Sequence, residues 1–265
     1  MNETVQQLLQ RKSVRSFTDR EIDESIVQEI LLAAVNAPTA GNQQLYTILR
    51  ITDRELLEQL ADSCDHQPFI TTGKLVLLFC ADCPKWYDAY RYAGCEPRHP
   101  GAGDLLLAVD DSMAAAQNAV VAAHSYGIGS CYIGDIMENM ERVQELLHLP
   151  DYVFPTTLLV FGYPTEQQKN RPKPERADLK YIVRENYYHR MDGEELRGML
   201  QVKAGGEDFD AWIRAFCARK YNSDFAREMS RSVAGYLEQF RSCCAGRDSL
   251  RKRRGNNIIN EPERS

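Results

Sequence analysis

Long apolar runs are missing from this 265-residue chain: the longest, 75–81, 105–109 and 157–162, fall far short of the ~20 residues a membrane span needs. The first residues, Met1-Asn2-Glu3-Thr4-Val5-Gln6-Gln7, lack a basic segment followed by an apolar stretch, so no signal peptide is expected and the chain is assigned to the cytoplasm. Positive charge is also in deficit. Lys and Arg number 32 against 38 Asp and Glu, a net of −6, which leaves no broad basic field for non-specific nucleic-acid binding. With 16 Gly and 11 Pro the chain is not collagen-like, and 43% hydrophobic residues are too many for disorder. One large domain, or one domain with an appendage, is expected.

Several chemical signatures are absent too. No GxGxxG precedes a helix, which argues against a dinucleotide-binding Rossmann unit. Ser13 has no GxSxG around it, which disfavours an acyl-transfer triad. Cys80-Ala81-Asp82-Cys83 is the only CxxC, and the five histidines show no ligand spacing, so no metal is expected. The eight cysteines read as free thiols in a chain large enough to rely on its core.

What is present is a regular alternation of helical and strand patterns. Helical spacing marks 6–11, 23–37, 53–64, 104–126, 137–147 and 209–240, while strand patterns cover 45–52, 74–81, 130–133 and 155–162. The alanine-rich 104–126 segment permits close approach by another helix or a flat ligand. Residues 164–174, with three prolines, are expected to be extended and exposed.

Three polar constellations stand out. Arg11-Lys12-Ser13-Val14-Arg15 puts three cations and a hydroxyl at a helix end, suited to a phosphate or to the helix dipole. Lys169-Asn170-Arg171 is a second cationic cluster. Pro38-Thr39-Ala40-Gly41-Asn42-Gln43-Gln44 is either a plain loop or a set of amides for the polar edge of a heteroaromatic ring. The glycines of Gly127-Ile128-Gly129 and Gly134 serve turns or close backbone approach.

In order and separation, these segments resemble the FMN-dependent nitroreductase family over roughly residues 5–190. The matching stretches are Arg11-Lys12-Ser13-Val14-Arg15-Ser16-Phe17-Thr18-Asp19, 37–44, Ala116-Gln117-Asn118-Ala119, 127–134 and Lys169-Asn170-Arg171-Pro172. Ile51-Thr52-Asp53-Arg54, Phe79-Cys80-Ala81-Asp82 and Glu185-Asn186-Tyr187 look most like the oxygen-insensitive NADPH nitroreductase and NADPH:flavin oxidoreductase branch. The resemblance implies an α+β fold, a central mostly antiparallel sheet flanked by helices, in an interlocked homodimer with 104–126 at its interface. It implies a domain over 1–190, a C-terminal helical extension over 191–245 packing on the dimer, and a flexible tail over 246–265.

For the site, the resemblance implies FMN as cofactor and NAD(P)H as electron donor. Arg11, Lys12, Ser13 and Arg15 would hold phosphate, ribityl and pyrimidine edge, with Lys169 and Arg171 completing the phosphate site. Thr39, Asn42 and Gln43 would come from the partner subunit, and Gln67 would be a ring-edge amide. Tyr132, Ile133, Gly134 and Asp135 would line the isoalloxazine. Tyr90 and Tyr92, from a lid over 86–95, would meet substrate, and Arg219 or Lys220 the NADPH phosphate. No protein nucleophile is required, because the flavin carries the hydride. The implied activity is two-electron, ping-pong reduction of nitroaromatics, quinones or flavins. The alternatives are a specialised flavoenzyme on the same fold (reductive dehalogenase, flavin-fragmenting or azoline-oxidising) and a non-catalytic flavin-binding redox sensor.

Overall fold

A computed structural model describes residues 1–241. Four antiparallel strands form one sheet, β1 (Tyr46–Arg50), β2 (Leu75–Asp82), β3 (Gly129–Ile133) and β4 (Val153–Gly162), in the order β1-β2-β4-β3. Side chains alternate across a strand, and here both faces are covered, which is why β2 reads as an almost unbroken apolar run. Leu75, Leu77 and Phe79 meet α2 (Glu24–Val35) and α5 (Ala102–Ser125) on one face. Val76, Leu78 and Cys80 meet α3 (Arg54–Ser63) and α6 (Met140–Leu147) on the other.

The alanines of α5 are packing residues. Ala115, Ala116, Ala119 and Ala123 are fully buried, and Asn118 Nδ2 donates to Ala33 O on α2 at 3.1 Å. By length and composition α5 is the one described helix apolar enough to cross a membrane, yet it lies against α2, β2 and β4 in the core.

After α1 (Glu3–Gln10), residues 13–18 run along the β3 side of the sheet: Val14 N donates to Ser130 O at 2.9 Å and Thr18 N to Tyr163 O at 2.8 Å. Two glycines make this approach possible. A Cβ on Gly129 would lie 2.6 Å from Val14 Cγ2, and one on Gly162 would lie 2.8 Å from Phe17 Cδ1.

Most of 164–174 is exposed as expected, but the structure corrects the expectation that it is extended. Thr165 Oγ1 accepts from Gln168 N at 3.4 Å and starts the short helix α7 (Glu166–Asn170), so the prolines flank a helical turn instead of extending the chain. The segment expected to be helical over 209–240 holds two helices, α10 (Phe209–Lys220) and α11 (Asp224–Gln239), the second started by Ser223 as N-cap. The remaining helices are α4 (Pro84–Tyr92), α8 (Leu179–Ile182) and α9 (Gly193–Ala204), the last opened by the Asp192/Glu195 capping box. Of the C-terminal extension, α11 packs on α6 and on the 3-10 turn Gly134–Met137, burying Ser232 and Tyr236. The tail expected over 246–265 lies outside the described residues.

Candidate functional site

The two cationic clusters meet. α7 folds back on the segment after α1: Lys12 Nζ donates to Lys169 O at 2.7 Å and also to Arg171 O, Arg171 Nη2 donates to Ser13 O at 3.3 Å, and Arg15 N donates to Gln168 Oε1 at 3.3 Å. Lys12 therefore ties the clusters together through carbonyls. Arg11 is half-buried, and its Nη1 is buried without a hydrogen-bond partner among the described residues. His124, at the end of α5, is held below the usual imidazole range by burial and then by Arg11 and Lys173. Within the group Arg11, Lys12, Lys169, Arg171 and Lys173, only Lys169 is ion-paired among the described residues, to Glu166 at 2.6 Å. This concentration of unneutralised cations, one with a buried free donor, suits a multiply charged anion such as a phosphate monoester.

Beside this cradle lies the end of β3, where the Arg11 charge acts on Tyr132. Tyr132 on β3 donates its hydroxyl to Gln117 Oε1 at 3.0 Å, and burial pushes the phenol up to about 12. Ile133 is buried, while Gly134 and Asp135 open the 3-10 turn that follows. Gln67 Nε2 donates to Asp135 Oδ2 at 3.0 Å and to Cys64 O at 2.9 Å, joining two residues that the sequence placed separately at the ring. The exposed Arg15 guanidinium stands 6.0 Å from the Phe69 ring centre, and the two share a cleft of about 480 Å³ with Phe17 and Lys74.

Sequence reasoning missed two buried acids. Asp111 on α5 is 5% exposed and shapes the 39–45 loop: its carboxylate accepts from Thr39 Oγ1, from Ala40 N at 2.8 Å and from Leu45 N at 3.2 Å. Glu138 is also 5% exposed, and its Oε1 lacks a partner among the described residues. Burial, then Asp135, Asp65 and Glu228, push its carboxyl up to about 7. The partners of Asp111 lie 66–72 positions away in sequence, and of the acids facing Glu138 only Asp135 is local, so no local pattern announces either environment.

Thr39, Asn42 and Gln43 sit elsewhere. Their loop leads into β1, at the opposite edge of the sheet from Ser13, which pairs with Ser130. Four strand spacings of ~4.8 Å separate the two places by roughly 19 Å, so one protomer does not bring them together. Thr39 Oγ1 also accepts from Gln44 N at 2.8 Å, Asn42 is exposed with φ 57°, and Gln43 O accepts from Trp86 Nε1 at 2.7 Å.

That last bond fixes α4 over a second cleft, of about 420 Å³, lined by Gln43, Leu45, Trp86, Tyr87, Tyr90 and Leu107 among others. Tyr87 stacks on His99 at 5.3 Å, holding the wall of this cleft. Tyr90 lines it, whereas Tyr92 is 98% exposed and does not. Arg219 and Lys220 are exposed on α10, with Arg219 lying 5.3 Å over the Phe216 ring, and α10 packs mainly on α9. Burial pushes the thiols of Cys80 and Cys83 up to about 12, so this CxxC stays protonated. Among the described residues no three His, Cys, Asp or Glu side chains are grouped to hold a metal.

The sequence model of the nitroreductase family matches residues 8–163. The chain is 28% identical over 246 residues to FMN reductase [NAD(P)H] of Bacillus subtilis, covering 90% of this chain and 92% of that protein. It is 34% identical over 193 residues to the oxygen-insensitive NADPH nitroreductase of Salmonella typhimurium, covering 72% and 77%. Among solved structures, NfrA2 of B. megaterium superposes with a TM-score of 0.77 at 26% identity, over 91% of this chain and 98% of that one. Nitroreductase A from Vibrio parahaemolyticus gives 0.76 at 26% identity, over 89% and 98%.

Proposed function

Because this chain belongs to the nitroreductase family, we propose that it is an FMN-dependent NAD(P)H oxidoreductase that passes two electrons to nitroaromatics, quinones or flavins. The observation that carries this reading is the meeting of the 11–15 segment with α7 beside Arg11, whose buried Nη1 has no partner among the described residues. That donor set fits the phosphate of FMN. Arg11, Lys169 and Arg171 would hold the phosphate, with Lys12 and Ser13 keeping the two segments in place. Arg15 would stand at the pyrimidine edge, Gln67 at the ring edge, and Tyr132, Ile133, Gly134 and Asp135 against the isoalloxazine.

When bound, FMN supplies the hydride acceptor and donor. The protein's part is to bind, orient and tune. A cation such as Arg15 beside the ring stabilises the negative charge that reduction adds, an instance of preorganised electrostatics. No general base is needed, which agrees with the buried Tyr132 phenol staying protonated. Donor and acceptor would occupy one face in turn, and that predicts ping-pong kinetics.

A homodimer is part of the proposal. Thr39, Asn42 and Gln43 reach a flavin only from a second copy, given the separation of the two sheet edges. The apolar surface to bury in such a dimer is there: Leu106 is 64% exposed on α5, Leu32 62% on α2, and Tyr187 and Tyr188 more than that on the arm after α8. The cleft under α4 would then lie beside the flavin of the other copy and receive the acceptor. A cytoplasmic location, where NAD(P)H is available, belongs to the same proposal. Initial-rate kinetics with added FMN, NADPH or NADH and a nitroaromatic or quinone test it. Parallel double-reciprocal lines and turnover that requires FMN support the proposal; turnover without FMN, or none with any acceptor, contradicts it.

A further inference from the structure

Glu138 is a buried carboxylate at the end of the turn that carries Asp135, one of the residues proposed to stand against the flavin ring. It closes the 3-10 turn Gly134–Met137, its N–H donating to Asp135 O at 3.0 Å, and it is 5% exposed with Oε1 unpartnered among the described residues. The groups around it are mostly acidic. Asp135 faces it from the same turn, Asp65 from the end of α3 beside the Cys64 thiol, and Glu228 from α11. Nearby cations are engaged by other acids. Arg231 on α11 pairs with Glu141 of α6 at 2.7 Å and with Glu228 at 2.8 Å, and Arg142 of α6 pairs with Asp62 of α3, which also holds His66. Glu228 is occupied further by Asn139 N at 3.2 Å and Ser232 Oγ at 2.8 Å.

An isolated buried carboxylate among like charges is costly when ionised, and neutralising it removes that cost. Glu138 titrates near neutrality in consequence, at about 7. Asp135, whose charge acts on Glu138 and whose carbonyl accepts from Glu138 N, carries the connection onward: its Oδ2 accepts from Gln67 Nε2 at 3.0 Å. Asp135 thus has a donor, and Glu138 Oε1 has none among the described residues.

We propose that Glu138 is the proton acceptor coupled to flavin reduction. With FMN bound, hydride transfer would break the nicotinamide C–H bond and form an N–H bond on the flavin, and departure of the oxidised nicotinamide would leave the site with one more negative charge. The Glu138 carboxylate then takes one proton from solvent through the exposed Asp65 side, cancelling that charge. When an acceptor removes the hydride, Glu138 releases the proton. Glu138 touches neither substrate nor ring; it acts through Asp135 and Gln67 as a positioning and charge-compensating residue. The inference rests on the flavin reading above.

The test is proton counting on the FMN-loaded, full-length protein, reduced anaerobically with one equivalent of NADPH in weakly buffered solution containing a pH indicator. Hydride transfer alone takes up no proton. The wild type is expected to take up a large fraction of one proton per flavin bleached just above neutrality, falling away at lower and higher pH. Glu138→Gln removes the uptake while the flavin still bleaches. Asp65→Asn, which deletes a facing negative charge at the surface, moves the window to lower pH and keeps the test decisive if Glu138→Gln does not fold. A wild type without uptake, uptake unchanged in Glu138→Gln, or a window unmoved in Asp65→Asn overturns the proposal. Failure to bind FMN, or bound FMN that NADPH does not bleach, overturns the flavin reading itself and this inference with it.

Discussion

Arg11 carries a buried guanidinium nitrogen with no partner among the described residues, and an unsatisfied buried donor costs about 1–3 kcal/mol. A phosphate oxygen removes that cost on binding. Arg11→Gln should therefore weaken FMN binding by about 10- to 100-fold, read from flavin fluorescence titration, while the Tm of the FMN-free protein holds or rises. Unchanged affinity would take Arg11 out of the phosphate site. At Glu138 the sign is set by a folded-state pKa of about 7 against 4.5 for the free side chain. The folded state binds this proton more tightly, so stability from this group is complete below the lower value and is lost as pH rises through the higher one. Glu138→Gln should accordingly stabilise the protein on the order of 2 kcal/mol at alkaline pH and much less in acid. Thermal melts across pH check this; a gain independent of pH would contradict it. Neither behaviour was legible in the sequence. The sequence offered Arg11 as one of three clustered cations, and Glu138 as an ordinary acid inside the helix expected over 137–147, which in the structure starts only at Met140. The enclosure of Glu138 depends on α11, whose Glu228 lies 90 positions further along the chain.

Elements were more legible where one local pattern decided the outcome. β2 announced itself by a continuous apolar run because both sheet faces are covered, and α5 by helical spacing ended at Gly127. α7 was not legible, since Pro164, Pro172 and Pro174 outweighed the Thr165 cap that starts the helix. That turn matters because it lays Lys169 and Arg171 against the 11–15 segment. The two glycines under this segment give an element-scale prediction. Gly162→Ala places a Cβ 2.8 Å from the Phe17 ring, an overpacking expected to cost about 1–3 kcal/mol. Because residues 13–18 would shift, FMN occupancy should fall along with Tm. A variant that melts earlier yet retains full FMN would separate the segment's packing from its role in the site.

For the whole molecule, the order β1-β2-β4-β3 puts the 39–45 loop and the 11–15 segment at opposite edges of one sheet. A shared flavin then demands two copies, and the exposed Leu106 and Leu107 of α5 are the natural surface to bury between them. A charge there is opposed by desolvation in any such interface. Leu106→Glu should yield monomers by sedimentation, with FMN lost in proportion; monomers that keep FMN would show a site complete in one chain. The measurement closest to the proposed function is the anaerobic absorbance spectrum of the FMN-loaded protein. NADPH or NADH should bleach the flavin bands and a nitroaromatic or quinone should restore them. A protein that takes up no FMN, or bands that the nicotinamide leaves unchanged, would contradict it.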